Sequence, residues 1–540
     1  MLKNKVIPNG INAVEFPDNP PNACLHATLI PSKTQWMIPN LPLQSNCRPF
    51  KGQSGYFNWV CSLVKETIDM LVQGGSIVTM NPRRQIFADG SIAIDQNRIL
   101  AVGRAQDLES TYRAQTIIDA KRKVVFPGLI NNHAHLQENI LRGLGDDMTF
   151  FDWITKMMSR CESAFTPEDN YASALLGCAE AIKSGTTTIF DFMCTQPRSQ
   201  SKFGDQTIRA MKEIGIRGIL GRGWQDTNID IAPFAEESIE NTRVVLSDIE
   251  RLIETYDKSE NGRIRVWPAP SQIYTSTTES VEAARDLAKK YQTGVSIHVA
   301  ETRGEIEYLE RKTGKRDVDY LETLGLLRPN LLAVHCNWVS EREIRMLKIN
   351  DVKVSHNPVC NMWGATGLAP IPQMIMAGIT VGLGTDGAAS NNTQNMKEVM
   401  KVACLLHKAM SVTAHHPDPT RFTAEKALEM ATIDGARSVG LEDEIGSLEP
   451  GKKADLIILD FAGHLNTTPV HRVVSTLVYQ AYGHEVDTVI IDGKLVMNEG
   501  KLLTVSESKV IDHATQRAEA LVERAGVGDL RERPWRSLGY

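Results

Sequence analysis

The sequence predicts an α/β chain in which a (β/α)8 (TIM) barrel carries a composite β-sandwich domain drawn from both flanks. Three observations predict it: apolar strands alternate with helical stretches through the middle of the chain, β-rich text brackets that region, and ionisable residues recur where the strands end. The alternation marks parallel strands joined by returning helices. Strands are expected at 124–131, 187–192, 218–221, 264–268, 295–299, 331–335, 352–356 and 379–383. Helical patterns such as 278–291 and 341–348 fall in the intervals between them. Eight such units in about 260 residues match the size of a barrel, with a doubly wound open sheet as the alternative.

Residues 1–66 are rich in Pro, Asn, Ser and Gln and carry turn chemistry at Asp18-Asn19-Pro20-Pro21, so they read as a poorly ordered extension. Short β-type runs follow at 70–72, 76–78, 91–94 and 99–102, punctuated by Gly74-Gly75, Asp89-Gly90 and Gly103. The same texture returns at 455–459, 488–491 and 492–496. The domain reading is therefore an extension over 1–66, a composite β-sandwich from 67–125 and 440–500, a barrel over 126–439 and a helical tail over 501–540.

Composition narrows the function. The chain has 540 residues, 42% of them hydrophobic, enough to bury a large core and too many for a disordered protein. Its 59 basic against 65 acidic side chains give a formal charge of -6, with no dense basic cluster, which speaks against a nucleic-acid partner. Nine cysteines form no C-x-x-C pair and suit reduced thiols better than a disulfide frame. No apolar stretch follows the N-terminal residues and no run of 18 uncharged apolar residues occurs. A soluble cytoplasmic protein without a membrane partner is the expectation, and the sequons at Asn391 and Asn466 are read as chance matches.

The chemistry lies where ionisable residues meet strand ends. His133 and His135 close strand one, His298 and Glu301 strand five, His335 strand six, His356 strand seven, and Asp386 follows strand eight. In a barrel all of these open on the C-terminal face, where catalytic groups of the fold gather. Residues i and i+2 of an extended chain share a face, so His133 and His135 can reach one ion. His298 adds a third nitrogen and Asp386 an oxygen, a donor set suited to one divalent ion, Zn2+ first, with Fe2+ or Mn2+ as alternatives. Glu301 is placed as a proton shuttle beside the metal, His335 as holder of water or developing charge, and His356 in the pocket wall. Gly382-Leu383-Gly384-Thr385-Asp386-Gly387 matches a dinucleotide fingerprint, but it follows the eighth strand, opens no convincing helix and lacks the later acidic ribose contact. The end of strand four, Val266-Trp267-Pro268-Ala269-Pro270, offers no lysine to bridge two metals, so one metal is expected.

The segments Phe126-Pro127-Gly128-Leu129-Ile130-Asn131-Asn132-His133-Ala134-His135, Leu141-Arg142-Gly143, His298-Val299-Ala300-Glu301-Thr302, Ser355-His356-Asn357-Pro358 and Gly384-Thr385-Asp386-Gly387-Ala388-Ala389-Ser390-Asn391-Asn392 together resemble the amidohydrolase superfamily. Within it they resemble the branch of S-adenosylhomocysteine and methylthioadenosine deaminases, guanine deaminase and the triazine hydrolases. The likeness covers about residues 67–500. It implies a mononuclear metal on His133, His135, His298 and Asp386, with Glu301, His335 and Asp386 in catalysis. Trp153, Arg222, His335, His356 and Trp363 are the expected substrate-binding residues. Trp363 stands where the branch tends to have lysine, and Trp224 where it often has Leu or Met, so two added aromatics are read as candidates to stack on a planar ring.

The expected reaction is hydrolytic deamination of an aminated purine, purine nucleoside or related heteroaromatic ring to the oxo product and ammonia. Glu301 protonates the ring nitrogen and then serves the departing amine. Displacement of a halide or alkylamine from a triazine-like ring, or opening of a cyclic amide, is the alternative, and a non-catalytic barrel a third reading. The partner is a small heterocyclic substrate, and a homo-oligomer is compatible with the sequence.

Overall fold

The computed structural model describes residues 45–51, 57–63, 65–194, 196–229, 233–414 and 417–532. They divide between two compact units, residues 1–67 with 109–113 and residues 68–108 with 114–540. In the first, Ser45–Lys51 and Phe57–Leu63 pair antiparallel. These two strands fall within the 1–66 stretch read from the sequence as a poorly ordered extension. Phe57, Trp59 and Val60 favour extended backbone, a local signal that the surrounding Pro/Asn-rich text hid. Residues 1–44 lie outside the described residues.

The second unit contains the expected eight parallel strands: β1 (Leu129–His135), β2 (Thr186–Met193), β3 (Arg217–Trp224), β4 (Ile264–Pro270), β5 (Val295–Val299), β6 (Leu331–His335), β7 (Lys353–His356) and β8 (Val381–Leu383). β1 to β4 form one parallel ladder and β5 to β8 another. Just past β8, Asp386 and Gly387 pair with Ala134 and His135 of β1, and a parallel bridge links Gln272, just past β4, to His298 of β5. The two ladders meet through these residues just past β8 and β4. Every residue of β1, β2 and β3 is buried, as expected for parallel strands covered on both faces.

The returning helices follow their apolar spacing. Phe203–Ile214 buries Thr207, Ile208, Met211 and Ile214 on one face and stops at Gly215, whose φ of 91° suits a residue without a side chain. Thr278–Tyr291 matches the predicted 278–291, and Glu341–Ile349 extends the predicted 341–348 by one residue. Pro167–Lys183 starts on a capping box in which Thr166 and Asp169 satisfy each other's backbone N–H. Asp169 also binds Arg517 and Arg524, which fastens the C-terminal helix Glu507–Ala525 to the barrel wall.

Both flanks contribute to one sheet. Val124–Pro127 pairs antiparallel with Leu456–Leu459 and parallel with Glu66–Val78. Ile77, Ile92, Ile94, Val125, Ile458 and Ile490 share its apolar core. Two boundaries differ from the sequence reading. The strand expected over 124–131 breaks at Gly128: Pro127 ends the flank strand, and a Cβ at 128 would fall 1.9 Å from Thr187 Oγ1. Gly74-Gly75 does not separate two strands; it forms a bulge inside Glu66–Val78, with Gly74 at a φ of 77°.

Candidate active site

The C-terminal strand ends carry strained backbone. Ala300, His335, Cys336 and Asp386 have φ of 50°, 68°, 53° and 68°, values that side-chain-bearing residues adopt at a cost. These bends lie where β5, β6 and β8 deliver their polar side chains to the mouth. His133, His135 and His298 converge there, with ring centroids 4.7 to 5.4 Å apart.

Tautomers are fixed from behind. The carbonyl of Phe192 lies 2.6 Å from His135 Nδ1 and that of Ser271 lies 2.7 Å from His298 Nδ1, so both Nδ1 atoms donate and both Nε2 atoms keep a free lone pair. His133 is fully buried with neither nitrogen hydrogen-bonded. Asp386 Oδ1 stands 3.6 Å from His133 Nε2 and 3.3 Å from His135 Nε2. Burial lowers the imidazole pKa values, that of His135 to about 4, while the surrounding histidines hold the Asp386 carboxyl well below its usual range against its own burial. Neutral nitrogens and an ionised carboxylate are what a borderline divalent ion binds, and the orphaned nitrogens of His133 fit such an ion better than any protein partner in reach.

Glu301 stands beside this set. Its Oε2 lies 3.7 Å from His335 Nε2, which lies 3.5 Å from Asp386 Oδ2. Burial first, then the charge of Asp386, raises the Glu301 pKa well above the carboxylate range. Asn361 Oδ1 lies 2.8 Å from His335 Nδ1, so that nitrogen carries the proton and Nε2 faces Glu301 and Asp386 as acceptor.

The mouth opens into a cavity of about 810 Å3 including its entrance. Trp153 and Trp363 line it, with Phe150, Met158 and Phe234 completing an aromatic and apolar wall. Two expected substrate contacts are elsewhere. Arg222 is fully buried and binds Glu240, just before helix Thr242–Tyr256, at 2.5 Å and Asp248, within that helix, at 3.2 Å. Its neighbour Trp224 is a core residue. His356 lies outside the lining, with its Nε2 3.1 Å from His407 Nε2. Strand position alone did not tell which face either side chain takes.

The dinucleotide-like glycines have a packing reason. A Cβ at Gly382, Gly384 or Gly387 would strike Asn132, Asn357 or Glu138 at 2.1, 2.4 and 1.8 Å, and the next helix opens only at Met396. The last of these contacts exposes residues that the sequence reading missed. Glu138 and Glu162 both line the cavity, buried, each with one carboxylate oxygen lacking a hydrogen-bond partner. Cys194 Sγ sits 3.0 Å from His135 Nδ1. Glu138 follows His135 by three residues and could have been suspected for that reason; nothing local marks Glu162.

The profile of the amidohydrolase family matches residues 124–496. The chain belongs to that family. A 5'-deoxyadenosine deaminase of Methanosarcina mazei is 36% identical over 84% of this chain and 99% of its own length. A 5-methylthioadenosine/S-adenosylhomocysteine deaminase of Pelotomaculum thermopropionicum is 38% identical over 84% of this chain and 99% of its own. The crystal structure of an adenosine deaminase from Xanthomonas campestris with bound zinc superposes with a TM-score of 0.77, at 29% identity over 85% of this chain and all of that one. As an amidohydrolase, the protein is a hydrolase of carbon–nitrogen bonds other than peptide bonds, and its histidine–aspartate cluster brings together ligand atoms of the kind that bind a divalent metal. Among the described residues, no helix is long and apolar enough to cross a membrane.

Proposed function

We propose that the protein is a cytoplasmic, zinc-dependent deaminase of aminated purines, purine nucleosides or closely related heteroaromatic rings. The observation that carries this reading is the placement of Glu301, a buried carboxyl 3.7 Å from His335, which lies 3.5 Å from Asp386, at the edge of a three-histidine cluster. A buried carboxyl whose hold on its proton is strengthened is suited to donate it to a ring nitrogen as that atom gains electron density. The relatives named as deaminases of adenine nucleosides support the same reaction.

His133, His135, His298 and Asp386 would hold the Zn2+, which would supply a water acidic enough to attack near neutral pH. Glu301 donates its proton to the ring nitrogen beside the attacked carbon, so no anion is stranded on the ring. Asp386 accepts a proton from the attacking water, and His335 relays it to Glu301 across gaps of 3.5 and 3.7 Å. Glu301 passes that proton to the amine, which leaves as ammonia. The hydroxyl proton of the tetrahedral adduct then restores Glu301 by the same relay as the carbonyl forms. Asn361 keeps His335 in the tautomer the relay requires.

The test is a substrate panel on zinc-loaded protein: 5'-deoxyadenosine, adenosine, guanine and a chlorinated aminotriazine, with ammonia and chloride measured together. Ammonia equal to the substrate consumed is expected from at least one purine. Chloride release without ammonia from any purine would assign the site to the displacement reaction instead.

A further inference from the structure

The cavity beyond the metal cluster has an unusual inventory. Four carboxyl groups line it, those of Glu138, Glu162, Glu301 and Asp386, and among the described residues no lysine or arginine does. The guanidinium of Arg222, near the end of β3, is consumed by Glu240 and Asp248. Glu301 and Asp386 are used by the reaction; Glu138 and Glu162 are not. Glu138 is 2% exposed and Glu162 is 5% exposed, and each keeps one oxygen without a hydrogen-bond partner. The Glu138 carboxyl rests in the space that Gly387 leaves by having no Cβ. Unsatisfied buried acceptors are costly to keep, and they persist in a pocket where a ligand supplies the donors.

We propose that this pocket takes rings whose substituent is uncharged and bears hydrogen-bond donors, or is cationic, and turns away rings that carry a carboxylate or phosphate. An anion placed against Trp153, Phe150, Met158 and Glu162 loses its water and meets no counter-charge. A hydroxyl or amine in the same place satisfies the open oxygens of Glu138 and Glu162. Burial pushes the Glu162 carboxyl up to about 8, so an amine placed there would take its proton and pair with it as the ammonium ion. This inference rests on the deaminase reading and specifies which substrates that reading admits.

The test uses the zinc-loaded full chain and a matched pair, the 5'-carboxamide and the 5'-carboxylate of adenosine, nearly equal in shape and different in charge, with 5'-deoxyadenosine as reference. kcat/KM for the carboxylate is expected to be at least about 100-fold below that for the carboxamide, since an unpaired buried charge is the most heavily penalised group a pocket can receive. Phe150 is only partly buried at the cavity wall. Phe150→Lys should supply the missing cation and narrow the gap by about 10-fold or more, a ratio that a general loss of activity would not move. Equal turnover of the pair, or a gap that Phe150→Lys leaves unchanged, overturns the inference while leaving deamination in place. Turnover of 5'-deoxyadenosine with neither derivative accepted overturns it as well. No ammonia from any of the three compounds defeats the deaminase reading itself.

Discussion

At the base of the barrel, Arg217 opens β3 with its guanidinium on Asp455, at 2.7 and 2.9 Å, and Asp455 also accepts the backbone N–H of Asp492 at 2.8 Å. Asp492 is reached in turn by Arg217 at 3.6 Å and Lys453 at 3.4 Å. At the mouth, the same depth of burial holds His133 with two idle nitrogens and Glu138 and Glu162 with one idle oxygen each. Charge at the base is answered by charge and joins the barrel to its flanking sheet. At the mouth, beside bent backbone, buried polar atoms lack a protein partner. Buried polar groups are ordinarily satisfied, so the contrast separates what this chain uses for stability from what it uses for chemistry.

The largest effect expected from breaking the contrast is at His298. His298→Ala removes one of three nitrogens and should abolish both metal binding and ammonia release while the thermal midpoint of the metal-free protein stays close to that of metal-free wild type. Elemental analysis and calorimetry on the same sample check it. Glu301→Gln comes next. It should keep the metal and lower turnover by about 10²- to 10⁴-fold, with a smaller change in KM. If the variant loses its metal, Glu301 is a ligand; if it turns over normally, the relay bypasses it.

The base should respond in the opposite sense. Asp455→Ala takes away the bidentate partner of Arg217, leaves it only the longer contact to Asp492 at 3.6 Å, and should cost about 3–5 kcal/mol of folding stability, read by denaturant unfolding. Per folded molecule, its metal content and turnover should match wild type. The smallest effect belongs to Glu162. Its folded pKa of about 8 lies above the ordinary carboxylate value, so stability is fullest below about pH 4.5 and is lost as pH rises through about 8. Glu162→Gln removes that loss and should stabilise the protein by about 1–3 kcal/mol at pH 8 and by much less at pH 5. Thermal unfolding at the two pH values reads the difference.

How much of this was legible beforehand differs between the two ends for a physical reason. Strands β5 and β6 were readable to the residue because Val295–Val299 and Leu331–His335 are short apolar runs bounded by polar text, and buried parallel strands require such runs. The histidines and Asp386 were readable because strand-end position fixes where a side chain emerges. Arg222 and His356 were misplaced because the direction a side chain takes depends on partners distant in sequence: Glu240 and Asp248 for one, His407 for the other. Glu162 was invisible for the same reason. It belongs to the segment between β1 and β2, and only the folded chain brings it to the cavity. The bulge at Gly74 and the break at Gly128 were readable as glycines, but not as to what each does.

The account stands or falls on whether the open groups at the mouth hold a metal that the reaction needs. Metal content and ammonia release should be measured on one preparation before chelation, after chelation and after addition of Zn2+. About one divalent ion per chain, loss of turnover when it is removed and recovery in proportion to the zinc restored are expected from three histidines and one aspartate. Full turnover from protein shown to be free of metal would contradict the account.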